Sequence, residues 1–171
     1  MRDEGAPRRG SEEPGVEKPR YRLPQPMSSF PLPRKELARL LLHWPVGRLM
    51  FTRTRAGTAN PAILVVTTRG QYFLKHRQPR YSDHGQLIFD HAVLRHLARA
   101  GLPVIPPVKT VTGDRWLQAD DAVYELYPLI EGQPHQPGNL AQIAAAGELL
   151  ACFHEATAEF SPPGHKPWPR Y

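Results

Sequence analysis

The sequence is poor in the residues that mark several protein classes. A single cysteine, Cys152, among 171 residues excludes an internal disulfide and a cysteine-based zinc site. No apolar run approaches the ~20 residues of a membrane-spanning helix; Leu40 to Leu42 and Ala62 to Val66 are runs of three and five. The opening stretch MRDEGAPRRGSEEPG lacks an apolar core, so it does not read as a secretory signal. These absences lead to the expectation of a soluble, cytoplasmic protein with no membrane partner. Acidic residues are also scarce over one long stretch: Arg34 to Lys109 holds thirteen basic residues and three acidic ones, Glu36, Asp83 and Asp90. From Gly113 onward the balance reverses, with eight acidic and three basic. The net charge of +6 is therefore local. It suits a solvated basic face, a nucleic-acid surface or a small phosphorylated ligand.

Proline, in contrast, is abundant. Seven of the 20 prolines fall within residues 1–33, where no apolar periodicity develops, so a disordered leader is expected there. Arg34 to Trp44 reads as a short amphipathic helix ended by Pro45 and Gly47. Three strand-like runs follow, Arg48 to Arg53, Ala62 to Thr68 and Gln71 to His76, with Arg69-Gly70 as a tight turn between the last two. His84 to Ala100 carries Leu87, His91, Leu94 and Ala98 at helical spacing, and Gly101 stands where a helix C-terminus places glycine. Val108 to Thr112 and Ala122 to Tyr127 are expected as two more strands. After the break Pro128 to Pro134, Leu140 to Phe160 forms a second long helix with Leu140, Ile143, Gly147, Leu150 and His154 on one stripe. Five mostly antiparallel strands with one helix between the third and fourth form a complete small α+β unit. The last helix has an apolar stripe but little remaining chain to cover it, so the sequence reads as cut. Domain limits of 34–132 for the first unit and 133–171 for the start of a second are expected.

Two residues stand out chemically. Asp90 lies at the edge of the apolar face of its helix, where a carboxylate is costly unless paired. Lys75 lies within the third strand on the Phe73 side of the pleat. They could form an ion pair; equally, Lys75 could extend to water while Asp90 flanks the core. A small-residue loop between two strands, a lysine on the third strand, an acid on the next helix and a break after the fifth strand are the parts of a kinase nucleotide lobe. Small residues admit phosphate oxygens to the backbone, the lysine binds phosphate and the acid holds the lysine.

The segments GTANPAILVVTTRGQYFLKHR, FDHAVLRHLARAGLPVIPPVKTVTG, VYELYPLIEGQP and AAAGELLACFHEA together resemble the N-terminal half of the aminoglycoside phosphotransferase family, which includes choline kinases and homoserine kinase type II. The resemblance runs from about Gly57 to Phe160. It implies a protein-kinase-like N-terminal lobe followed by the first helix of a C-terminal lobe. By resemblance, Gly57, Thr58 and Asn60 belong to the phosphate-facing loop, Lys75 binds phosphate and Asp90 positions it. Tyr127, Leu129 and Ile130 belong to the hinge beside adenine. The implied cofactors are ATP and magnesium, and the implied acceptor is a small molecule with a hydroxyl.

This sequence departs from the family pattern in three places. Asp90 stands where the family usually has Glu, one glycine replaces a glycine-rich loop, and no H-G-D catalytic motif occurs. No catalytic residue or metal ligand is therefore assigned within this chain, and it is not expected to work alone as a kinase. The alternatives are a non-catalytic kinase-like module that presents its basic face to a protein or nucleic acid, and a fragment without a function of its own. Elsewhere, His154 is expected to be a core histidine and Cys152 a buried small hydrophobe. His84, His91 and His96 lack the spacing of a metal site. Trp116, Tyr124 and Tyr127 are expected in the core.

Overall fold

The computed structural model describes residues 32–55, 62–77, 79–119 and 121–166. Leader residues 1–31, the expected phosphate loop with Gly57, Thr58 and Asn60, and the terminal Trp168 to Tyr171 lie outside the described residues. Helix α1 spans Arg34–Leu41. Strands β1 (Leu49–Arg55), β2 (Ala62–Thr67) and β3 (Gly70–Arg77) follow as a meander. A 3-10 turn at Pro79–Tyr81 leads into α2, His84–Arg99. Then come β4 (Leu117–Ala119), β5 (Ala122–Pro128) and α3 (Leu140–Thr157). The five strands form one sheet in the order β1-β2-β3-β5-β4, with every neighbouring pair antiparallel. The chain thus adopts the expected α+β architecture.

Two corrections concern boundaries. Leu32, assigned by composition to the disordered leader, is buried in the core, and Pro33 is the N-cap of α1. The β-branched run Val108 to Thr112 is not a strand; β4 lies further on, at Leu117–Ala119. Gly113, at φ +93°, lets the chain reverse, with Thr110 N–H donating to Asp114 O at 2.7 Å. Val111 N–H is drawn to His43 O at 2.8 Å. A local turn and a long-range backbone bond together outweigh strand propensity, which is a weak prior.

The pleat divides the sheet into two unlike faces. One carries Ile63, Val65, Leu74, Tyr124 and Leu126 against Leu37, Leu40, Leu41, Trp44 and Val46. The Trp44 indole N–H donates to Val108 O at 3.2 Å, so this large ring is buried with its polar atom satisfied. The other face carries Phe73, Lys75, Arg77, Glu125 and Tyr127, and α2 approaches it. Four consecutive buried residues, Val123 to Leu126, show that β5 is covered on both faces. Asp83 caps α2 by accepting from Gln86 N–H at 3.2 Å, a bond that satisfies one orphan donor of the first turn.

Helix α3 has no buried residue. Leu140, Ile143, Leu149, Leu150 and Phe153 are exposed, and so are Cys152 and His154, which corrects the expectation that both are buried. Its packing partner is α2, and the join lies at its C-terminal end. The His96 ring nitrogen sits 2.6 Å from Ala156 O, and the same ring stacks on Phe160 at 3.8 Å. Beyond it, Gly164 (φ +88°) lies so close to Gly85 that a Cβ would collide with the Gly85 carbonyl oxygen. Glycine at 164 is what lets this segment lie on α2.

Two leucines of one short run give a direct test of the core. Leu40 is 0% exposed and Leu42 73%. Chemical denaturation should show Leu40→Ala losing about 2–5 kcal/mol, while Leu42→Ala stays within about 0.5 kcal/mol of the parent.

Candidate functional site

On the face beneath α2, the strand register fixes two rows of side chains. Leu64, Phe73 and Tyr127 are paired across β2, β3 and β5, and the next row is Ala62, Lys75 and Glu125. Leu64, Phe73, Lys75 and Tyr127 are half-buried, whereas Glu125 is only 3% exposed. A carboxylate at that depth requires partners, and it has three. Oε1 lies 3.1 Å from Arg77 Nη1 and 2.9 Å from His91 Nε2, while Oε2 accepts from the Tyr127 hydroxyl at 3.1 Å. The His91 contact is within ion-pair distance, but neither ring nitrogen has a well-aligned hydrogen bond.

Arg77 is the hub of this cluster. Its Nη2 reaches Asp90 Oδ2 at 2.8 Å, and its Nε and Nη2 both donate to Tyr81 O, at 2.9 and 2.6 Å. The rigid guanidinium fork can serve two carboxylates and a carbonyl at once, which an ammonium at this place could not do with the same geometry. Lys166 closes the chain of charges, with Nζ 2.7 Å from Asp90 Oδ1. The cluster therefore ties β3, the β3–α2 connection, α2, β5 and the segment after α3 together.

The electrostatics follow from these contacts. Burial pushes the Glu125 carboxyl up, but the His91 contact and the Arg77 charge outweigh it and hold the group below the usual carboxylate range. Burial likewise opposes ionisation of Asp90, and Lys166 and Arg77 overcome it. The Tyr127 hydroxyl is pushed well up by burial and by the Glu125 charge beside it. The phenol thus remains a donor to Glu125.

The expected Lys75–Asp90 pair is not formed. Both Asp90 oxygens are engaged, by Arg77 and Lys166, and Lys75 Nζ instead sits over the Tyr127 ring, 4.3 Å from its centroid. The reason is geometric. Lys75 and Arg77 share a face of β3, and Arg77 lies two residues nearer the 3-10 turn that leads into α2. Among the described residues no carboxylate is in ion-pair contact with Lys75. Its ammonium is therefore held by an aromatic face alone, a contact of about 0.5–2 kcal/mol.

The residues expected at the hinge, Tyr127, Leu129 and Ile130, lie at and just beyond the end of β5. Tyr127 is on the same face as Lys75, Leu129 N–H donates to Gln71 O at 2.9 Å, and Ile130 is exposed. The Leu129 amide is thus already used within the sheet. Sequence reasoning did not single out Arg77, Glu125, His91 or Lys166 as members of the site. A signal existed for one of them: Glu125 is the lone acid inside the apolar run Ala122 to Leu129.

A five-stranded antiparallel sheet of this order with a helix over one face has the form of a kinase-like N-terminal lobe. Comparison with known proteins agrees. The sequence pattern of the phosphotransferase enzyme family matches residues 51–171, and the chain belongs to that family. It is 31% identical over 127 residues to a homoserine kinase of Chelativorans sp. (strain BNC1), an alignment covering 74% of this chain and 39% of the relative. A homoserine kinase of Bradyrhizobium diazoefficiens is also 31% identical, with 74% and 38% covered. Among solved structures, spectinomycin phosphotransferase APH(9)-Ia in complex with ADP and spectinomycin superposes with a TM-score of 0.62 at 22% identity, covering 74% of this chain and 39% of that one. An amicoumacin kinase bound to AMP-PNP and Ca2+ gives a TM-score of 0.65 at 16% identity, with 74% and 40% covered. The latter two likenesses concern the fold. The chain spans about 39% of the length of the homoserine kinase from Chelativorans.

The buried cluster yields a stability test. Arg77→Met would leave Glu125 and Asp90 without their shared cation and should cost about 3–5 kcal/mol at pH 7 in urea denaturation. The two acids have folded-state pKa values below their unfolded values of about 4.3 and 3.9. Their contribution is therefore complete above about pH 5 and lost as pH falls through the folded values. A urea-midpoint series should stay level from neutral pH down to that point and drop below it, and Glu125→Gln should flatten the drop.

Proposed function

We propose that this chain is the ATP-binding portion of a small-molecule phosphotransferase, with Lys75 as its phosphate-binding cation. The observation that carries this reading is the Lys75 ammonium, half-buried beside a partly exposed apolar row and restrained by the Tyr127 ring rather than by a carboxylate. Leu64, Phe73 and Tyr127 offer adenine an apolar floor, and the connector after β5 runs along its edge. Because the Leu129 N–H is committed to Gln71, the backbone groups for the adenine edge would come from Ile130 to Gln133. Lys75 would exchange a weak ring contact for a charge-assisted bond to a phosphate oxygen, which is shorter and about twice as strong as a neutral hydrogen bond. Asp90 acts at one remove in this reading: with Glu125 and Arg77 it fixes α2 on the sheet. Gly57, Thr58 and Asn60 would approach the phosphates from the β1–β2 loop.

The described residues do not fit a magnesium site. Asp90 and Glu125 are each committed to cations, and no group of three His, Cys, Asp or Glu side chains among the described residues could hold a metal ion. The phosphoryl transfer, and an acceptor hydroxyl on a small molecule, belong to the reading for the full family length. The likeness to homoserine kinases supports a small metabolite as that acceptor. The bare apolar face of α3 supports a further body of protein packed against this chain when the enzyme is complete. No described helix is long and apolar enough to cross a membrane.

Binding of a fluorescent ATP analogue should be saturable and displaced by ATP in preference to GTP. Lys75→Ala should weaken it by about tenfold or more, the loss of one charge-assisted contact, with an unchanged circular dichroism spectrum. Equal affinity in parent and variant would remove Lys75 from the site.

A further inference from the structure

We infer that the cleft between α2 and the 106–116 segment is a second site, which binds a small phosphorylated anion. It is an open cleft of about 550 Å³ whose lining includes Arg95, Arg99, Lys109 and Arg115 together with His91 and Trp116. A volume of this size falls in the range of small-molecule sites. The charge balance is lopsided: against four cations the lining holds one acid, Asp114, and its carboxylate already accepts from Thr112 Oγ1 at 3.3 Å. Arg95 and Arg99 stand one helical turn apart, where like charges repel. Among the described residues neither they nor Lys109 has an ion-pair partner. Arg115 is held in place by a 2.6 Å bond from Nη1 to Pro107 O, which orients the guanidinium and leaves other N–H groups of its fork available.

His91 adds a second observation. His91 is 4% exposed, and its Nδ1 has no hydrogen-bond partner. The ring is clamped by stacking on Trp116, with centroids 5.0 Å apart. An unpartnered polar atom at such depth is uncommon in folded proteins. A dianion in the cleft would meet guanidinium groups whose planar fork suits phosphate and relieve the repulsion among them. The site is separate from Lys75, which lies on the sheet beyond α2. His91 touches both regions, since its other nitrogen faces Glu125. An anion in the cleft would therefore also restrain α2.

Pyrophosphate is the probe, titrated calorimetrically into the full chain at about 150 mM salt, where long-range charge effects are screened. Saturable binding at this cleft is expected in the parent, and it persists in Lys75→Ala, where the nucleotide face has lost the cation that could hold the probe separately. The Arg95→Ala/Arg99→Ala pair, both exposed and so safe for folding, should weaken it by about tenfold or more. Lys109→Ala provides an independent third measurement and should weaken it by a smaller factor. Any of three results overturns the proposal: no saturation up to ~10 mM, an affinity too weak for a specific site; unchanged affinity in the double variant; or loss of binding in Lys75→Ala alone.

Discussion

The arrangement of this protein depends on one buried carboxylate. Glu125 sits on β5, between β3 and the edge strand β4, almost wholly withdrawn from water, and cannot remain ionised there without Arg77, His91 and Tyr127 around it. Each of those residues comes from a different place: the neighbouring strand, the helix above, and two positions along the same strand. Meeting the electrostatic demand of one oxygen pair therefore brings three elements to a common point. A well-packed apolar replacement could be equally stable. What the charged version adds is register, because α2 has to sit where His91 and Asp90 meet their partners.

That constraint explains the asymmetry of the sheet. One face is an ordinary core of aliphatic side chains and Tyr124 and Trp44, tolerant in detail and specified by periodicity. The other face is a polar layer, half-open, in which a lysine rests on an aromatic ring. Apolar packing supplies the stability of the fold, while the charged layer determines how far the helix stands from the strands. A ligand surface is best placed on the second kind of face, where groups are ordered but not wholly satisfied by one another.

The alternating and helical patterns in the sequence were sufficient to read the meander, α2 with its terminal Gly101, and β5. They failed at Val108 to Thr112, where propensity pointed to a strand but Gly113 and the His43 carbonyl drew the chain into a turn. They also failed for Cys152 and His154, because periodicity identifies an apolar stripe without saying whether anything covers it. The site was legible only to the level of its face: the pleat placed Lys75 on the Phe73 side of its strand and the wheel placed Asp90 at the edge of the apolar face of its helix. Which cation meets which acid was not legible. Three cations, Lys75, Arg77 and Lys166, compete for one carboxylate, and Lys166 is 76 residues away in sequence. Distance along a strand and the return path of a remote segment are tertiary facts.

The attachment of α3 has a mechanical consequence. A helix of 18 residues is about 27 Å long, and here its joins to α2 gather at one end, where His96 meets Ala156 and Phe160. Such a helix is a lever with its fulcrum on α2. A tilt of about 10° at the fulcrum moves the far end by roughly 5 Å over that length, so small shifts of α2 on the charged layer are magnified at Leu140. Because the connector from β5 joins that same far end, the position of α2 and the path of residues 129–139 are geometrically linked.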